Sequence, residues 1–245
     1  GLKGWPMKSP DRVPGTNTAL QSTPADDTAP VLTLHNLCKS YKAGRRRHTV
    51  LDDISFTFPR YRNIGILGRN GAGKSTLLKI LFGGLIPDSG YVTHSGAYLS
   101  WPIGGACVKG NLSARDNIKF VCRIYDIDIA YGLDFVERFA QLGNYFDMPV
   151  GTYSSGMKSR LAFAMSAMIE FDCYLVDEAF KAVDARLTES MHARFLGEER
   201  RANMIIVSHN VKLIRRFCDN AALLSGGKLH YYEDIEEGIK AYQNL

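Results

Sequence analysis

The chain has 245 residues, 45% of them hydrophobic, which is enough for the buried core of one α/β domain with an inserted lobe. Its formal net charge of +5 is basic without being extreme, so it permits contact with nucleic acid or anionic lipid heads and requires neither. The five cysteines are scattered without Cys-x-x-Cys spacing, which argues against a disulfide framework or zinc site and favours a reducing cytosol. No apolar run approaches the roughly 20 residues of a membrane-spanning helix, so work at a membrane would need spans from a partner.

The N-terminal part of the chain predicts a leader followed by a β layer. Residues 1–30 are rich in Pro, Thr, Ser, Ala and Asp, which predicts a disordered leader ahead of one domain over 31–245. Alternating apolar residues in Val31–Leu37 predict an edge strand, and Leu51–Phe58 alternates again and should pair with it. Between them, Arg45–Arg47 is typical of a solvated hairpin tip, with contact to a lipid head or nucleotide edge as the alternative.

The stretch that follows predicts a phosphate-binding loop. Gly68–Thr76 reads Gly-Arg-Asn-Gly-Ala-Gly-Lys-Ser-Thr and lies between the apolar run Ile64–Leu67 and the apolar-periodic segment Leu77–Phe82, which is the strand–loop–helix context of a P-loop. Glycine amides can curl around a phosphate, and a helix N-terminus is partially positive. Lys74 would then reach the β- and γ-phosphates, and the Ser75 hydroxyl would ligate Mg²⁺. The residues expected to hold the nucleotide here are Gly68, Asn70, Gly71, Ala72, Gly73, Lys74, Ser75 and Thr76.

The middle of the chain predicts a helical insertion. Residues 101–153 carry helical patterning and no strand pattern, so we expect a helical subdomain there, with the core formed by 31–100 and 154–245. Gly96–Leu99 predicts a strand just before it, and Ser113–Asp116 predicts a capping box. A further helix should begin at Ser154-Ser155-Gly156, which is either an anion-binding terminus or an ordinary N-cap.

The C-terminal half predicts the rest of a parallel sheet. Apolar runs predict strands over Phe171–Val176 and Met204–Val207, a helix lies between them over 187–201, and a hairpin turned at Gly226-Gly227 closes the sheet. Strands that alternate with helices around a P-loop predict a largely parallel sheet covered on both faces.

Acidic residues follow the first of these runs directly. Asp177 at the end of a buried strand could hold Mg²⁺, and Glu178 could orient or deprotonate an attacking water. His209 closes the next apolar strand, where either contact with a γ-phosphate or a structural role fits. The carboxylate pair alone is weak evidence for a Mg²⁺ and hydrolysis site. Because a P-loop lies about a hundred residues upstream, the two motifs together are strong evidence for one.

Taken together, these segments resemble the ATP-binding subunits of ABC transporters. The segments Ser100-Trp101-Pro102, 117–121, 145–149 and 153–157 resemble in particular those of capsular polysaccharide exporters, and the similarity covers about Val31–Leu245. The resemblance implies a P-loop (RecA-like) ATPase core with an antiparallel β layer and an inserted α-helical subdomain. It also implies an ATP-hydrolysing motor subunit, peripheral on the cytoplasmic face of the bacterial inner membrane, that uses ATP and Mg²⁺.

The resemblance also implies roles for single residues and partners. Tyr41 matches the residue that stacks on adenine, Asp177 the metal-side carboxylate, Glu178 the general base and His209 the switch histidine, with Lys74 beside them as a catalytic residue. The implied partners are a second copy in a head-to-tail ATP sandwich and a transmembrane permease, with polysaccharide reached only through the permease and no nucleic acid. The residues that would meet the ATP held by the other copy are Ser154, Ser155, Gly156 and, in the inter-subunit loop, Asp184.

The sequence departs from the family pattern in places and leaves alternatives open. The usual glutamine at the entry to the lobe is replaced by Ser100 or Trp101, and Ser155 stands where glycine is usual. The chain ends soon after the predicted core, so we expect glycan choice to lie with the permease. One alternative is export of O-antigen or teichoic acid. Another is a soluble ABC ATPase acting on nucleic acid or ribosomes, although such proteins usually join two ATPase units and this chain has one P-loop.

Overall fold

The computed structural model describes residues 29–44, 46–103, 108–177 and 202–245. The predicted leader up to residue 28, Glu178, Asp184 and the predicted helix over 187–201 lie outside these ranges. Within them, the strands are β1 Leu32–Ala43, β2 Arg46–Phe58, β3 Ile64–Leu67, β4 Ser89–His94, β5 Cys173–Asp177, β6 Asn203–Val207, β7 Asn220–Ser225 and β8 Lys228–Tyr232. The α-helices are α1 Lys74–Leu81, α2 Ala114–Ile124, α3 Ile129–Ala140, α4 Ser155–Ala167, α5 Val211–Phe217 and α6 Ile235–Gln243, with short 3₁₀-helices at Gly143–Asp147 and Val150–Thr152.

The larger sheet has five strands in the order β5-β6-β3-β7-β8. Its first four strands are parallel, and β8 closes the sheet as the antiparallel arm of a β7–β8 hairpin. β3 and β6 are buried along their whole length, because a parallel sheet covered on both faces leaves no polar face. The predictions of a largely parallel sheet and of a hairpin turned at Gly226-Gly227 are confirmed.

The sheet separates two hydrophobic cores, and successive residues of a strand enter opposite ones. On β5, Cys173 and Leu175 belong to the core beneath the smaller sheet, whereas Tyr174 and Val176 belong to the core shared with the helices of the 114–167 region. Alternation of this kind defines which way each side chain of the strand points. Packing on both faces therefore holds the strand in one register.

The smaller sheet has three antiparallel strands in the order β2-β1-β4. The prediction that Val31–Leu37 forms an edge strand is wrong, since β1 is central and pairs with β4 as well as β2, for example Leu34 with Val92. The predicted strand over Gly96–Leu99 is also wrong. Only Leu99 forms an isolated bridge, with Cys173, because the chain there merely runs alongside β5.

The β1–β2 hairpin is irregular at three points, and one of them matters for the site described below. Register shifts lie between Leu34 and Leu37, between Leu37 and Lys39, and between Lys39 and Ser40. The last shift leaves Val50 as the extra residue, since Lys39 pairs with Leu51 and Ser40 pairs with Thr49. Bulges of this kind increase the local twist of a strand pair and redirect its side chains.

Between residues 114 and 152 the secondary structure consists of helices joined by short turns. One half of the predicted capping box is confirmed, because the Ser113 hydroxyl accepts a hydrogen bond from the Asp116 N–H at 3.1 Å. The Asp116 carboxylate accepts from the Ser113 hydroxyl at 2.7 Å. Helix α5 was missed at the sequence level. Its signal is Asn210, whose side chain caps the helix by accepting from Lys212 N and Leu213 N. Among the described residues, none of the helices has the length and apolar character needed to traverse a bilayer.

Helices α2 and α3 pack tightly at Gly132, which generates a first prediction. A Cβ built on Gly132 would lie 2.4 Å from the Cys122 sulfur, far inside van der Waals contact. We therefore expect Gly132→Ala to lower the free energy of unfolding by about 1–3 kcal/mol through overpacking, measured by urea denaturation followed by circular dichroism. The control is the double variant with Cys122→Ala, which removes the sulfur and should be no less stable than Cys122→Ala alone. An undiminished loss in the double variant would contradict the packing argument.

Candidate functional site

The parallel register brings three chain segments to one edge of the larger sheet. Val207 of β6 pairs with Asp177 of β5 on one side and with Ile66 of β3 on the other. The three strands therefore end side by side, and the turns that follow them leave from the same edge. The predicted P-loop follows β3, Asp177 ends β5, and Ser208-His209 follows β6. Sequence positions that are more than a hundred residues apart are thus neighbours in space.

The P-loop turns into α1 through glycines with left-handed backbone. Gly73 is the N-cap of α1 with φ +100°, and Gly71 has φ +83°. A Cβ on Gly73 would lie 2.9 Å from the Val50 carbonyl oxygen, so the bulge of β2 rests directly on this turn. Glycine is required at position 73 for both its dihedral angle and this close approach.

Lys74 is buried at the first turn of α1, with only 6% of its surface exposed. Its ammonium group donates to the carbonyl oxygens of Gly68 at 2.7 Å and Arg69 at 3.0 Å. A buried ammonium held by the loop's own carbonyls fixes a positive charge beside the helix N-terminus, whose free N–H groups carry further positive character. This arrangement suits a phosphate anion.

A cavity of about 440 Å³ opens at this edge. Of the predicted nucleotide contacts, Gly68 and Ala72 are not among its described lining residues, and neither is His209, which is exposed beyond the end of β6. Val50 is a lining residue that sequence reasoning missed, and no sequence signal marks it, because its position depends on the β2 bulge. The described residues that line the cavity are Val50, Asn70, Gly71, Gly73, Lys74, Ser75, Thr76 and Asp177.

Two predicted metal ligands meet in the cavity. The Ser75 hydroxyl donates to a carboxylate oxygen of Asp177 at 3.4 Å, across 102 sequence positions. Hydroxyl and carboxylate oxygens are the hard donors that Mg²⁺ prefers, so the donor set fits that ion. Among the described residues, no group of three or more His, Cys, Asp or Glu side chains could hold a metal. A cation here would complete its coordination with phosphate and water oxygens, as Mg²⁺ commonly does.

Tyr41 is bonded to one of the residues that line the cavity. Its hydroxyl shares a 3.2 Å hydrogen bond with the Thr76 hydroxyl, and 42% of its surface is exposed. The Lys39 ammonium lies 5.9 Å from the centre of its ring. The ring is therefore held next to the P-loop helix with a face available for stacking.

The predicted second anion-binding terminus lies away from this cavity. Ser154 is the N-cap of α4, and its hydroxyl accepts from Met157 N at 3.3 Å, which confirms that a helix begins there. Ser154 and Ser155 are exposed, and neither they nor Gly156 belong to the described cavity lining. This helix start is therefore open to a ligand from outside its own P-loop.

The residues that replace the usual glutamine are buried. Ser100 is fully buried, accepts from Leu175 N at 2.9 Å and donates to the Trp101 carbonyl at 2.8 Å. Trp101 packs against Tyr125 and Phe171, with ring centres 5.4 and 5.6 Å apart. Burial, together with the neighbouring Tyr125, raises the pKa of Tyr98 in the same cluster to about 12. Ser100 and Trp101 thus join the sheet edge to α2 instead of facing the cavity.

Comparisons with known proteins agree with this geometry. The profile of the ABC transporter family matches residues 51–181. The chain is 42% identical to the ATP-binding protein BexA of Haemophilus influenzae, over 87% of this chain and 97% of that protein. It is 39% identical to the capsule polysaccharide export ATP-binding protein CtrD of Neisseria meningitidis serogroup B, over 88% of this chain and 100% of that protein. A solved ATP-binding subunit of an ABC transporter shares the fold, with a TM-score of 0.72, 21% identity, and coverage of 87% of this chain and 98% of that one.

The two left-handed glycines of the loop allow a matched test. We expect Gly71→Ala to cost about 1–2 kcal/mol of loop stability from its dihedral angle alone. Gly73→Ala should be more damaging, because its Cβ would also collide with the Val50 carbonyl. Titration with a fluorescent ATP analogue should show weaker binding for both variants and the larger loss for Gly73→Ala. Equal losses would show that the contact between the β2 bulge and the loop has no bearing on binding.

Proposed function

The chain belongs to the ABC transporter family, and we propose that it is the ATP-hydrolysing motor subunit of an exporter that moves capsular or related lipid-linked polysaccharide across the cytoplasmic membrane. The observation that carries the proposal is the meeting of Ser75 and Asp177 beside the buried Lys74, in a chain that covers nearly the full length of its curated relatives. One of those relatives is named for capsule polysaccharide export. Export of O-antigen or teichoic acid is the alternative within the same reaction class.

Each part of the cavity has a role in binding ATP. The backbone amides of the loop and the N-terminus of α1 hold the phosphates, and Lys74 neutralises the β- and γ-phosphate charge. Tyr41 offers its ring to the adenine, and its bond to Thr76 places that ring beside the phosphate site. Phosphate recognition and base recognition therefore come from different sheets of the fold.

The oxygen atoms of Ser75 and Asp177 would hold Mg²⁺. When bound, the ion neutralises phosphate charge and polarises the γ-phosphoryl group. Asp177 sits where β5 ends, and its N–H donates to the Ile103 carbonyl at 3.1 Å, so the strand edge fixes the backbone that carries its carboxylate. One hydroxyl oxygen, from Ser75 on α1, and one carboxylate oxygen, from Asp177 at the end of β5, would therefore face the ion.

We assign the hydrolytic step to Glu178 and His209. Glu178, directly after Asp177 in the sequence, would accept a proton from a water molecule whose oxygen attacks the γ-phosphorus. The bond between the γ-phosphorus and the β–γ bridging oxygen then breaks, and ADP and inorganic phosphate leave. His209 follows β6, the strand between those that end at Asp177 and at the P-loop, and from that position it would contact the γ-phosphate.

A second copy of the chain would complete the site. The start of α4 at Ser154 is exposed and separate from its own cavity, and its N–H groups can bind an anion held elsewhere. Two copies arranged head to tail would each present Ser154, Ser155 and Gly156 to the γ-phosphate on the other copy's Lys74, with Asp184 in the contact between them. ATP binding would close this dimer, and release of products would reopen it.

The helical subdomain would dock on a transmembrane permease at the cytoplasmic face of the membrane. Phe120 and Ile124 on α2 are 51% and 58% exposed, on an amphipathic helix whose other face is buried. Large apolar side chains that share an exposed helix face are typical of a protein interface. The polysaccharide would then be handled by the permease, and the chain itself would act at a distance from it.

The general base is tested by Glu178→Gln. We expect steady-state ATP hydrolysis to fall at least about 100-fold while ATP binding persists, because the amide cannot accept the proton from water. ATP without hydrolysis should also trap a dimer, which sedimentation analysis would detect. Glu170→Gln, the same change at an acidic residue that precedes β5, is the control and should leave turnover unchanged. Unchanged turnover in Glu178→Gln would refute the assignment of the base.

The α2 surface separates the transport function from a soluble one. We expect the double variant Phe120→Ser/Ile124→Ser to weaken association with permease-containing membranes about tenfold or more, as for interface anchors. ATPase turnover of the isolated chain should stay unchanged, and Tyr231→Ser, an exposed aromatic on β8, is the control. Binding to membranes would be measured by cosedimentation. Salt-sensitive binding to nucleic acid with a steep slope, and none to membranes, would instead favour the soluble ATPase.

A further inference from the structure

One carboxylate outside the cavity accepts hydrogen bonds from both strands of the β1–β2 hairpin, which carries Tyr41. Asp88 lies in the loop between α1 and β4, with 25% of its side chain exposed. Its carboxylate accepts hydrogen bonds from Lys39 Nζ at 3.0 Å, Ser40 N at 2.9 Å and Arg47 Nη2 at 2.7 Å. Lys39 and Ser40 belong to β1 and Arg47 to β2, so one side chain ties the two strands together. Arg47 is thus part of this contact and not simply a solvated residue of the hairpin tip.

Backbone contacts reinforce the same junction. The Asp88 N–H donates to the Cys38 carbonyl at 2.8 Å, and Lys39 Nζ also donates to the Ile86 carbonyl at 2.8 Å. The Arg47 guanidinium and the Lys39 ammonium also hold the pKa of the Asp88 carboxyl well below its usual range. The carboxylate is therefore charged at neutral pH, where charge-assisted hydrogen bonds are stronger than neutral ones.

The junction lies next to a bulge in the β1–β2 hairpin. The register shift between Lys39 and Ser40 leaves Val50 unpaired, which disrupts the regular β1–β2 hydrogen bonds immediately before Tyr41. On one side of this point the Val50 carbonyl rests on Gly73. On the other side Asp88 holds Ser40. The P-loop helix and the loop that follows it thus hold the hairpin at two separate points around Tyr41.

We propose that Asp88 is a positioning residue for nucleotide binding, which sets the place of the Tyr41 ring against the base of ATP. The inference rests on the proposed function, in which Tyr41 stacks on adenine. Stacking depends closely on ring height and offset, and Ser40, whose N–H Asp88 holds, is joined directly to Tyr41. Without the hydrogen bonds to the Asp88 carboxylate, the Tyr41 ring on the bulged hairpin would occupy more positions. Binding of the base would then have to restrict the ring to one position, and the lost conformational freedom would weaken the affinity for ATP.

The test compares ATP with inorganic tripolyphosphate, which carries the phosphates and no base. For Asp88→Asn we expect the Kd for ATP to rise about fivefold to tenfold. This is part of the affinity that stacking of one base on an aromatic ring contributes. The Kd for tripolyphosphate should stay within about twofold, the usual scatter between independent sites. The KM for ATP should rise with the Kd while kcat stays within the same limit.

Three further variants separate positioning from a general structural role. Asp88→Glu, which keeps the charge, should recover most of the ATP affinity. In a Tyr41→Ala background, Asp88→Asn should have no additional effect on ATP binding, because its action passes through the ring. Glu236→Gln is the matched control, since Glu236 forms a two-point ion pair with Arg215 on α5, at 2.5 and 2.7 Å, far from the hairpin in sequence.

The outcomes distinguish failure of this inference from failure of the proposed function. Equal losses for ATP and tripolyphosphate, or an unchanged Kd for ATP, would overturn positioning by Asp88. So would an undiminished effect of Asp88→Asn in the Tyr41→Ala background. If Tyr41→Ala alone left ATP binding intact, the proposal that Tyr41 stacks on adenine would be wrong, and the inference about Asp88 would be wrong as well. Absence of ATP hydrolysis by the unaltered chain would count against the proposed function itself, whereas the binding comparison would still decide the role of Asp88.

Discussion

The alignment of β5, β6 and β3 is the constraint on which the site depends, because it brings the end of β5, with Asp177, beside the loop that leads to Ser75. Their register places Asp177, Val207 and Ile66 in one row across the sheet. A shift of one residue in a strand would turn its side chains to the opposite face. The two cores prevent such a shift, since Cys173 and Tyr174 already pack on opposite faces of the sheet. Hydrophobic packing thus determines the geometry of a polar site.

The smaller sheet contributes side chains beside the P-loop that the parallel sheet does not supply. Val50 lines the cavity and Tyr41 bonds to Thr76, and both residues belong to the β1–β2 hairpin. That hairpin is bulged, and its position depends on contacts with both ends of the α1 region, at Gly73 and at Asp88. The place of Tyr41 and Val50 beside the P-loop therefore depends on contacts that hold the two sheets in a fixed relation.

The junction between the sheet and α2 shows how a departure from the family pattern is accommodated. Ser100 bonds to β5, and Trp101 packs against Tyr125 at the end of α2. Two residues on, the Ile103 carbonyl accepts the N–H of Asp177. The segment thus connects the helical region to the strand that carries Asp177 through packing and backbone bonds. A polar side chain in the cavity is not needed for that connection.

Local sequence determined the P-loop, the caps at Ser113 and Ser154, and the buried strands, because each depends on backbone freedom, hydrogen bonds or apolar patterning within a few residues. It also predicted that Ser75 and Asp177 act together, through a combination of motifs. Only the tertiary structure decided that β1 is central, that Val50 lines the cavity, that Trp101 is buried and that Asp88 holds the Tyr41 hairpin. These features depend on which strands pair and where a bulge falls. Pairing is settled by packing between distant segments, and no local pattern encodes it.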